Sequence, residues 1–173
     1  MSHFKDVLIA IDTDTILRHF NHDISQDHNY PTRIAPRFAE DVIHMVSNSK
    51  DTSNQGSANI TSTLELGDVI RWRATTLSKD FENSVILYNY SQLYSDGGEI
   101  SPVRIISIQG APMPVINKQS PWATPIKQEV NTYLWAATAE NRGHITYTWS
   151  FMIVDKHNQV VGYCSWDPYM TIV

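Results

Sequence analysis

Cysteine and glycine are both scarce in this chain, and their scarcity excludes several kinds of site. Cys164 is the only cysteine among 173 residues, so the chain forms no internal disulfide and has no redox-active pair. The seven glycines form neither a glycine-rich phosphate loop nor the strained turn that carries the serine of many hydrolases. We therefore predict a protein that is not an enzyme and that holds no cofactor.

Basic charge and long apolar runs are also missing. The formal net charge is −5, so nucleic acid is not expected as a partner. No segment approaches the roughly 20 consecutive apolar residues of a membrane-spanning helix. The first twelve residues lack the apolar run and the small-residue cleavage site of a secretory signal. We predict a cytoplasmic protein that engages neither nucleic acid nor membrane.

The clearest structural pattern lies between His144 and Trp166. Large apolar residues alternate there with small polar ones, which is the two-residue period of a strand with one buried face. The predicted buried side chains are Ile145, Tyr147, Trp149, Phe151 and Ile153. Residues 155–158 supply a turn, and the chain returns as a partner strand. Five bulky side chains on one face require an opposing layer from elsewhere in the chain.

Further strand signals precede this stretch. Val7–Ile11 is an unbroken apolar run, which is typical of a strand covered on both faces. Asp41–Val46 and Val69–Thr76 are also predicted strands. Arg71 and Arg73 share one face of the latter, where we expect cross-strand salt bridges.

The last third of the chain is predicted to be a three-strand meander. Glu129–Ala139 has the strand pattern, and residues 140–143 suit a hairpin connection to the next strand. Tyr169–Val173 is expected to close one edge. Before the meander, prolines at 112, 114, 121 and 125 predict an extended crossing segment.

These signals define the expected fold. Roughly nine short strands at near-regular spacing favour an all-β fold: a two-sheet antiparallel β-sandwich, jelly-roll-like. One short helix near the N-terminus carries Ile16, Leu17 and Phe20 on its apolar side, and one of the two acids or two threonines of residues 12–15 caps it. No linker divides the chain, so we predict a single domain over residues 1–173.

Possible reactive groups are better explained as ordinary structure. Histidines and acids gather between residues 19 and 28, as His19, His22, Asp23, Asp27 and His28. Their spacing does not match a closed metal site, so no metal site is predicted there. An irregular calcium site that Asp12 and Asp14 share with a distant loop stays open as an alternative to helix capping. Cys164 lies mid-strand, as expected of a small packing residue rather than a nucleophile.

Aromatic residues are more plentiful than a small core obviously needs, with five tryptophans and eight tyrosines. At least three of the tryptophans are expected to fill the sandwich. An aromatic ring beside acids or amides suits a sugar, because its face packs on C–H groups while the polar groups bind hydroxyls. The candidate ligand-binding residues are Asp12, Asp14, Trp166, Asp167 and Tyr169.

Four blocks of the sequence resemble a known family. They are Asp6–Thr13, the Tyr30-Pro31 pair, Gly67–Arg73 and Gly162–Tyr169. In this order, across nearly the whole chain, they resemble the PixA/AidA family of bacterial inclusion-body proteins. The resemblance implies a small cytoplasmic bacterial protein that can accumulate in inclusion bodies, with no established activity or catalytic residues.

Two functions follow as hypotheses. The first is a non-enzymatic protein that accumulates at high concentration, associates with itself and has an unknown precise role. The second is a carbohydrate-binding, lectin-like module, with calcium assisting. A hydrolase would need a cleft that gathers distant carboxylates, and the sequence gives no sign of one.

Overall fold

Two β-sheets face each other across an aromatic-rich core in a computed structural model, which describes residues 3–21, 23–49, 52–79 and 81–173. Two short helices, α1 (Thr13–His19) and α2 (Pro36–Val42), lie near the N-terminal strands. The strands are β1 (Phe4–Ile11), β2 (Thr32–Arg33), β3 (Ile43–Ser47), β4 (Thr52–Ser53), β5 (Thr61–Leu64), β6 (Val69–Thr76), β7 (Asn83–Asp96), β8 (Glu99–Ile100), β9 (Arg104–Val115), β10 (Ile126–Asn141), β11 (Gly143–Asp155), β12 (Val160–Trp166) and β13 (Tyr169–Ile172).

The strands form one six-stranded and one seven-stranded sheet. The six-stranded sheet has the order β3-β1-β6-β10-β8, with β9 also paired to β10. The seven-stranded sheet has the order β2-β12-β11-β13-β5-β4, with β7 running along the other edge of β11. The predicted all-β, two-sheet sandwich with a short helix near the N-terminus is confirmed.

Both sheets are mixed rather than purely antiparallel. Strand β1 runs parallel to β6, and short parallel pairs join β12 to β2 and β13 to β5. Parallel neighbours need long crossover connections. The segment between β1 and β6 provides one, because it contains both helices and four short strands.

Strand β11, which has the clearest alternating pattern in the sequence, contributes several of the largest side chains of the core between the sheets. All five predicted inward side chains of β11 are at most 2% exposed. Trp149 packs edge-on against Trp72 of the opposite sheet, with ring centroids 5.5 Å apart. The indole nitrogen of Trp135 donates a hydrogen bond across the core to the carbonyl oxygen of Leu87, at 3.1 Å.

Helix α2 was not predicted, because the pattern after it suggests a strand. The predicted strand Asp41–Val46 begins only at Ile43, and the preceding turns are helical. Pro36 suits the first turn, where its missing N–H has no intrahelical partner to lose. Ala39 and Val42, three residues apart, are the buried side chains of this short helix. Two apolar contacts in seven residues are too few to reveal a helical period.

The predicted three-strand meander is wrong at its first connection. Strands β10 and β11 belong to different sheets, so the turn between them crosses the core instead of closing a hairpin. Gly143 makes this crossing possible at a φ of 142°, and a Cβ atom there would lie 2.0 Å from the carbonyl oxygen of Asp96. The β11–β12 hairpin is confirmed, while β13 pairs with both β11 and β5 and so closes no edge.

One face of β1 is uncovered, against the prediction that both would be covered. Val7, Ile9 and Ile11 are buried in the core, but Leu8 on the opposite face is 41% exposed. Phe4 lies on the same side of the strand and is 58% exposed. We call this side of the six-stranded sheet, which points away from the core, the outer face.

Replacing Phe151 by alanine is expected to lower the free energy of unfolding by about 3–5 kcal/mol, because it empties a fully buried site. Its neighbour Met152 points to the opposite, partly exposed face, so Met152→Ala serves as the matched control and should cost about 1 kcal/mol. Denaturant-induced unfolding measures both. Equal losses would contradict the assigned inner face of β11.

Candidate functional site

The two predicted acids at the N-terminus belong to helix α1. The Oδ1 atom of Asp12 accepts a hydrogen bond from the backbone N–H of Thr15 at 3.0 Å, and its Oδ2 accepts one from the Thr15 hydroxyl at 2.8 Å. Asp12 is therefore the N-cap of the helix. Asp14 accepts a hydrogen bond from the Asn83 amide at 3.2 Å and lines an open depression beside Val161.

The other three predicted residues lie around the turn between β12 and β13. Trp166 is 1% exposed, and its indole nitrogen donates to the carbonyl oxygen of Ala58, at 3.3 Å. Asp167 forms an ion pair with Arg33 and accepts a hydrogen bond from the Thr148 hydroxyl at 2.6 Å. The Tyr169 hydroxyl lies 3.2 Å from that of Thr61. A buried Trp166 cannot present its ring to a sugar.

The structure does not bring these two groups together. Asp14 lies beside the start of β12, whereas Asp167 follows the last residue of that strand. Six residues of extended chain separate Val161 from Asp167, a span of about 20 Å. No single small ligand could bridge the five residues as one compact site.

The remaining candidates have ordinary structural surroundings. His19 stacks on Phe38 with ring centroids 3.8 Å apart, and His28 lies exposed beside Asp27. His22 is outside the described residues. Within the described ranges, no group of three or more histidine, cysteine or acidic side chains could hold a metal ion.

The predicted salt bridges of Arg71 and Arg73 are confirmed. Arg71 binds Asp6 through two hydrogen bonds, at 2.8 and 2.6 Å, and Arg73 approaches the same carboxylate at 3.5 Å. The Arg71 guanidinium also lies 4.1 Å above the ring of Phe4. This group occupies the middle of the outer face.

A polar groove crosses the outward side of the seven-stranded sheet. It has a volume of about 520 Å³ and is lined by His28, Asn29, Pro31, Tyr88, Asn89, Ser91, Thr148 and Ser150. The Tyr88 hydroxyl donates to the carbonyl oxygen of His28 at 2.8 Å, and burial raises its pKa. Asp167 borders the groove through its hydrogen bond from Thr148. Sequence reasoning missed this groove because its residues come from three distant segments.

A hairpin formed by residues 109–131 is the second feature that the sequence did not reveal; we call it the arm. Strand β9 pairs with β10 from Arg104 to Val115, and among the described strands it has no other partner. Strand β9 has a bulge at Gln109 and Gly110, opposite Asn131, where the Gly110 N–H donates to the Asn131 side chain at 3.1 Å. Beyond this bulge the two strands pair only with each other. The four prolines thus lie in a projecting hairpin, not in a crossing segment.

The arm exposes apolar side chains. Met113 is 41% exposed and Ile126 is 56% exposed, and both point to the same side of the hairpin. In the loop between the strands, Ile116 is 58% exposed and Trp122 is 88% exposed. Trp72, Trp149 and Trp166 are buried, as predicted for at least three tryptophans, so Trp122 is the strongly exposed one. Proline alternates with apolar residues around Met113, and proline within a sheet is typical of edge strands. An edge hairpin could have been predicted from this pattern.

Comparison with known proteins decides the family. The model of the PixA inclusion body proteins matches residues 3–172. The chain belongs to the PixA family of inclusion body proteins. A crystal structure of a PixA inclusion body protein from Burkholderia cenocepacia J2315 is similar, with a TM-score of 0.81 and 19% identity over 99% of this chain and 97% of that chain. The PixA fold is therefore common to both.

Other comparisons add nothing to the PixA assignment. A structure of PbICP-C in complex with falcipain-2 has a TM-score of 0.29 at 9% identity, over 66% of this chain and 88% of that one. The solution structure of amebosin has a TM-score of 0.26 at 12% identity, over 72% and 93%. No curated protein matches the chain. No helix of the described residues is long and apolar enough to cross a membrane.

The single thiol of this PixA family member is expected to be inert in the folded protein. Cys164 is fully buried, and burial raises the pKa of its thiol to about 12. Because the pKa is raised, the reactive thiolate is suppressed at mildly alkaline pH and forms only as the pH approaches that value. A chromogenic disulfide reagent should therefore react slowly with native protein and rapidly after denaturation. Equal rates would contradict the buried position.

Proposed function

We propose that this chain is a non-catalytic protein that accumulates to high concentration in the cytoplasm and associates with itself there. Membership of a family described as inclusion body proteins supports accumulation. The polar groups at the predicted sites are engaged in helix capping, ion pairs and packing, which supports the absence of catalysis.

The observation that carries the proposal is the exposed apolar surface of the arm. Soluble monomers rarely leave large contiguous apolar patches open to water, because burying such area is favourable by roughly 25 cal/mol per Å². A two-stranded hairpin on its own is also only marginally stable in water. The arm therefore gains most by packing against another surface, and at high concentration the surface most often met is another copy.

Self-association should appear as a mass that rises with protein concentration. Sedimentation velocity over a dilution series measures it directly, and light microscopy of expressing cells tests whether the protein collects in inclusions. We expect a reversible shift from monomer to larger species. At millimolar concentration, an association free energy of about −4 kcal/mol is enough to populate the dimer. A mass that stays monomeric up to that concentration would contradict the proposal.

Carbohydrate binding is the second candidate, and the polar groove favours it. Tyr88 and Tyr163 meet edge-on at 5.5 Å beside the groove, and Tyr30 nearby in the chain is 77% exposed. Hydroxyl and amide groups of Asn29, Asn89 and Ser91 line the same space. Rings with adjacent hydrogen-bonding groups are the arrangement that a pyranose requires.

Sugar binding is tested on a glycan array, with and without calcium. We expect that Asn89→Ala, which removes a groove amide, weakens any binding by about tenfold, the size of one or two lost hydrogen bonds. Asn117→Ala, in the distant loop of the arm, is the matched control. An array with no bound glycan in either condition would rule this candidate out.

A further inference from the structure

The outer face of the six-stranded sheet carries exposed apolar side chains on both sides of the Asp6, Arg71 and Arg73 group. Leu8 of β1 and Val46 of β3 are 41% and 48% exposed, and Phe4 is 58% exposed. On β9, Ile106 and Ile108 are 36% and 37% exposed on the same side as Leu134, by their pairing with β10. The outer face thus carries large apolar side chains at positions where a sheet face in contact with water normally has polar ones.

The arm continues this face beyond the bulge. Side chains alternate along β10, so Val130, Gln128 and Ile126 of the arm point to the same side as Leu134 in the body. Their partners on β9 include Met113 and Val115. On the opposite side of the arm, Lys127 and Glu129 form an ion pair at 2.6 Å. The hairpin therefore presents its apolar side in the direction of the outer face.

The edge of the arm is closed to strand addition. Pro112 pairs with Glu129 and Pro114 pairs with Lys127. Proline has no N–H to give to β10, so both nitrogens belong to the edge that points away from it. An incoming strand would find two donors missing there. Whatever covers the arm must pack on its side chains and not extend its hydrogen-bonded ladder.

We propose that a second copy of this chain packs on the outer face and arm, with the same surface of both copies in contact about a two-fold axis. This inference rests on the proposed self-association and names its interface. Two-fold contact needs one patch that complements itself, and the exposed apolar side chains of the outer face can meet their copies in such a contact. Two such faces pack about 10 Å apart, as the sheets of a sandwich do.

The size of the surface fits a stable dimer. Five strands spaced about 4.8 Å apart and about 20 Å long, with an arm of about 10 by 20 Å, give a projected area on the order of 700 Å². Standard interfaces bury about 800 Å² on each partner. A second copy is therefore large enough to cover the face, and its own arm extends the contact beyond the body.

Charge predicts how this interface responds to salt. Among the paired residues of the described strands, Asp6, Arg71, Arg73 and Arg104 are charged and lie on the outer face. Arginine is in excess, so two such faces repel each other weakly, and added salt screens that repulsion. Dimerisation through apolar contact should hold or tighten as salt is raised, whereas an interface made by opposite charges would weaken.

The experiment compares three glutamate variants in the full chain. Leu8→Glu places a charge on the body of the outer face, and Met113→Glu places one on the arm. Leu93→Glu is the matched control, since Leu93 is 55% exposed on the distant strand β7 of the other sheet. We expect the first two to raise the dimer dissociation constant by at least about tenfold, as buried interface charges do. The control should change it by less than about twofold.

Sedimentation at low and high salt gives the dissociation constants, and circular dichroism checks folding. Leu8→Ser, which adds no charge, replaces Leu8→Glu if that variant fails to fold. A wild-type chain that remains monomeric overturns both the interface and the proposed self-association. A wild-type chain that associates as strongly as its Leu8 and Met113 variants overturns only the interface.

Discussion

The contact between Trp149 and Trp72 holds the two sheets of this protein together. Trp149 lies at the middle of β11, and Trp72 lies at the middle of β6 on the other sheet, with ring centroids 5.5 Å apart. Tyr90 stands beside Trp149 on the neighbouring strand, and Trp135 stands beside Trp72. Because strand side chains alternate, a slip of one residue in either strand would turn its tryptophan to the outside. The inward faces of β6 and β11 follow from this one requirement.

This dependence explains which parts of the fold could be predicted. The alternation around Trp149 and around Trp72 reports burial, so both strands and their inward faces were predicted correctly. Alternation does not report which strand lies alongside. Between β10 and β11 the chain passes from one sheet to the other at Gly143. That passage depends on the close approach of Gly143 to Asp96, which is a long-range contact. Local pattern shows there only a short polar turn, which is equally typical of a hairpin.

The candidate sites divide in the same way. A helix cap within residues 12–15 and the packing of Cys164 inside a strand are local properties, and both were predicted. The burial of Trp166 depends on contacts with Phe151 and with the carbonyl of Ala58, which lies more than a hundred residues away. The polar groove likewise needs three segments to meet. The sequence shows residues of the kinds that ligand sites use, but only the assembled sheets determine which of them share a surface.

The outward sides of the two sheets differ in a way that the sequence already contains. Between its inward side chains β11 carries Thr146 and Thr148, both partly exposed, as expected of a side that meets water. In β1, by contrast, Leu8 and Ala10 stand between the buried residues, so both sides are apolar over Val7–Ile11. That run predicts burial on both faces of β1. Within one copy of the chain only the face that carries Val7, Ile9 and Ile11 is buried. An apolar side chain gains nothing from water, so the pattern of β1 is consistent with a strand whose second covering layer comes from outside the chain.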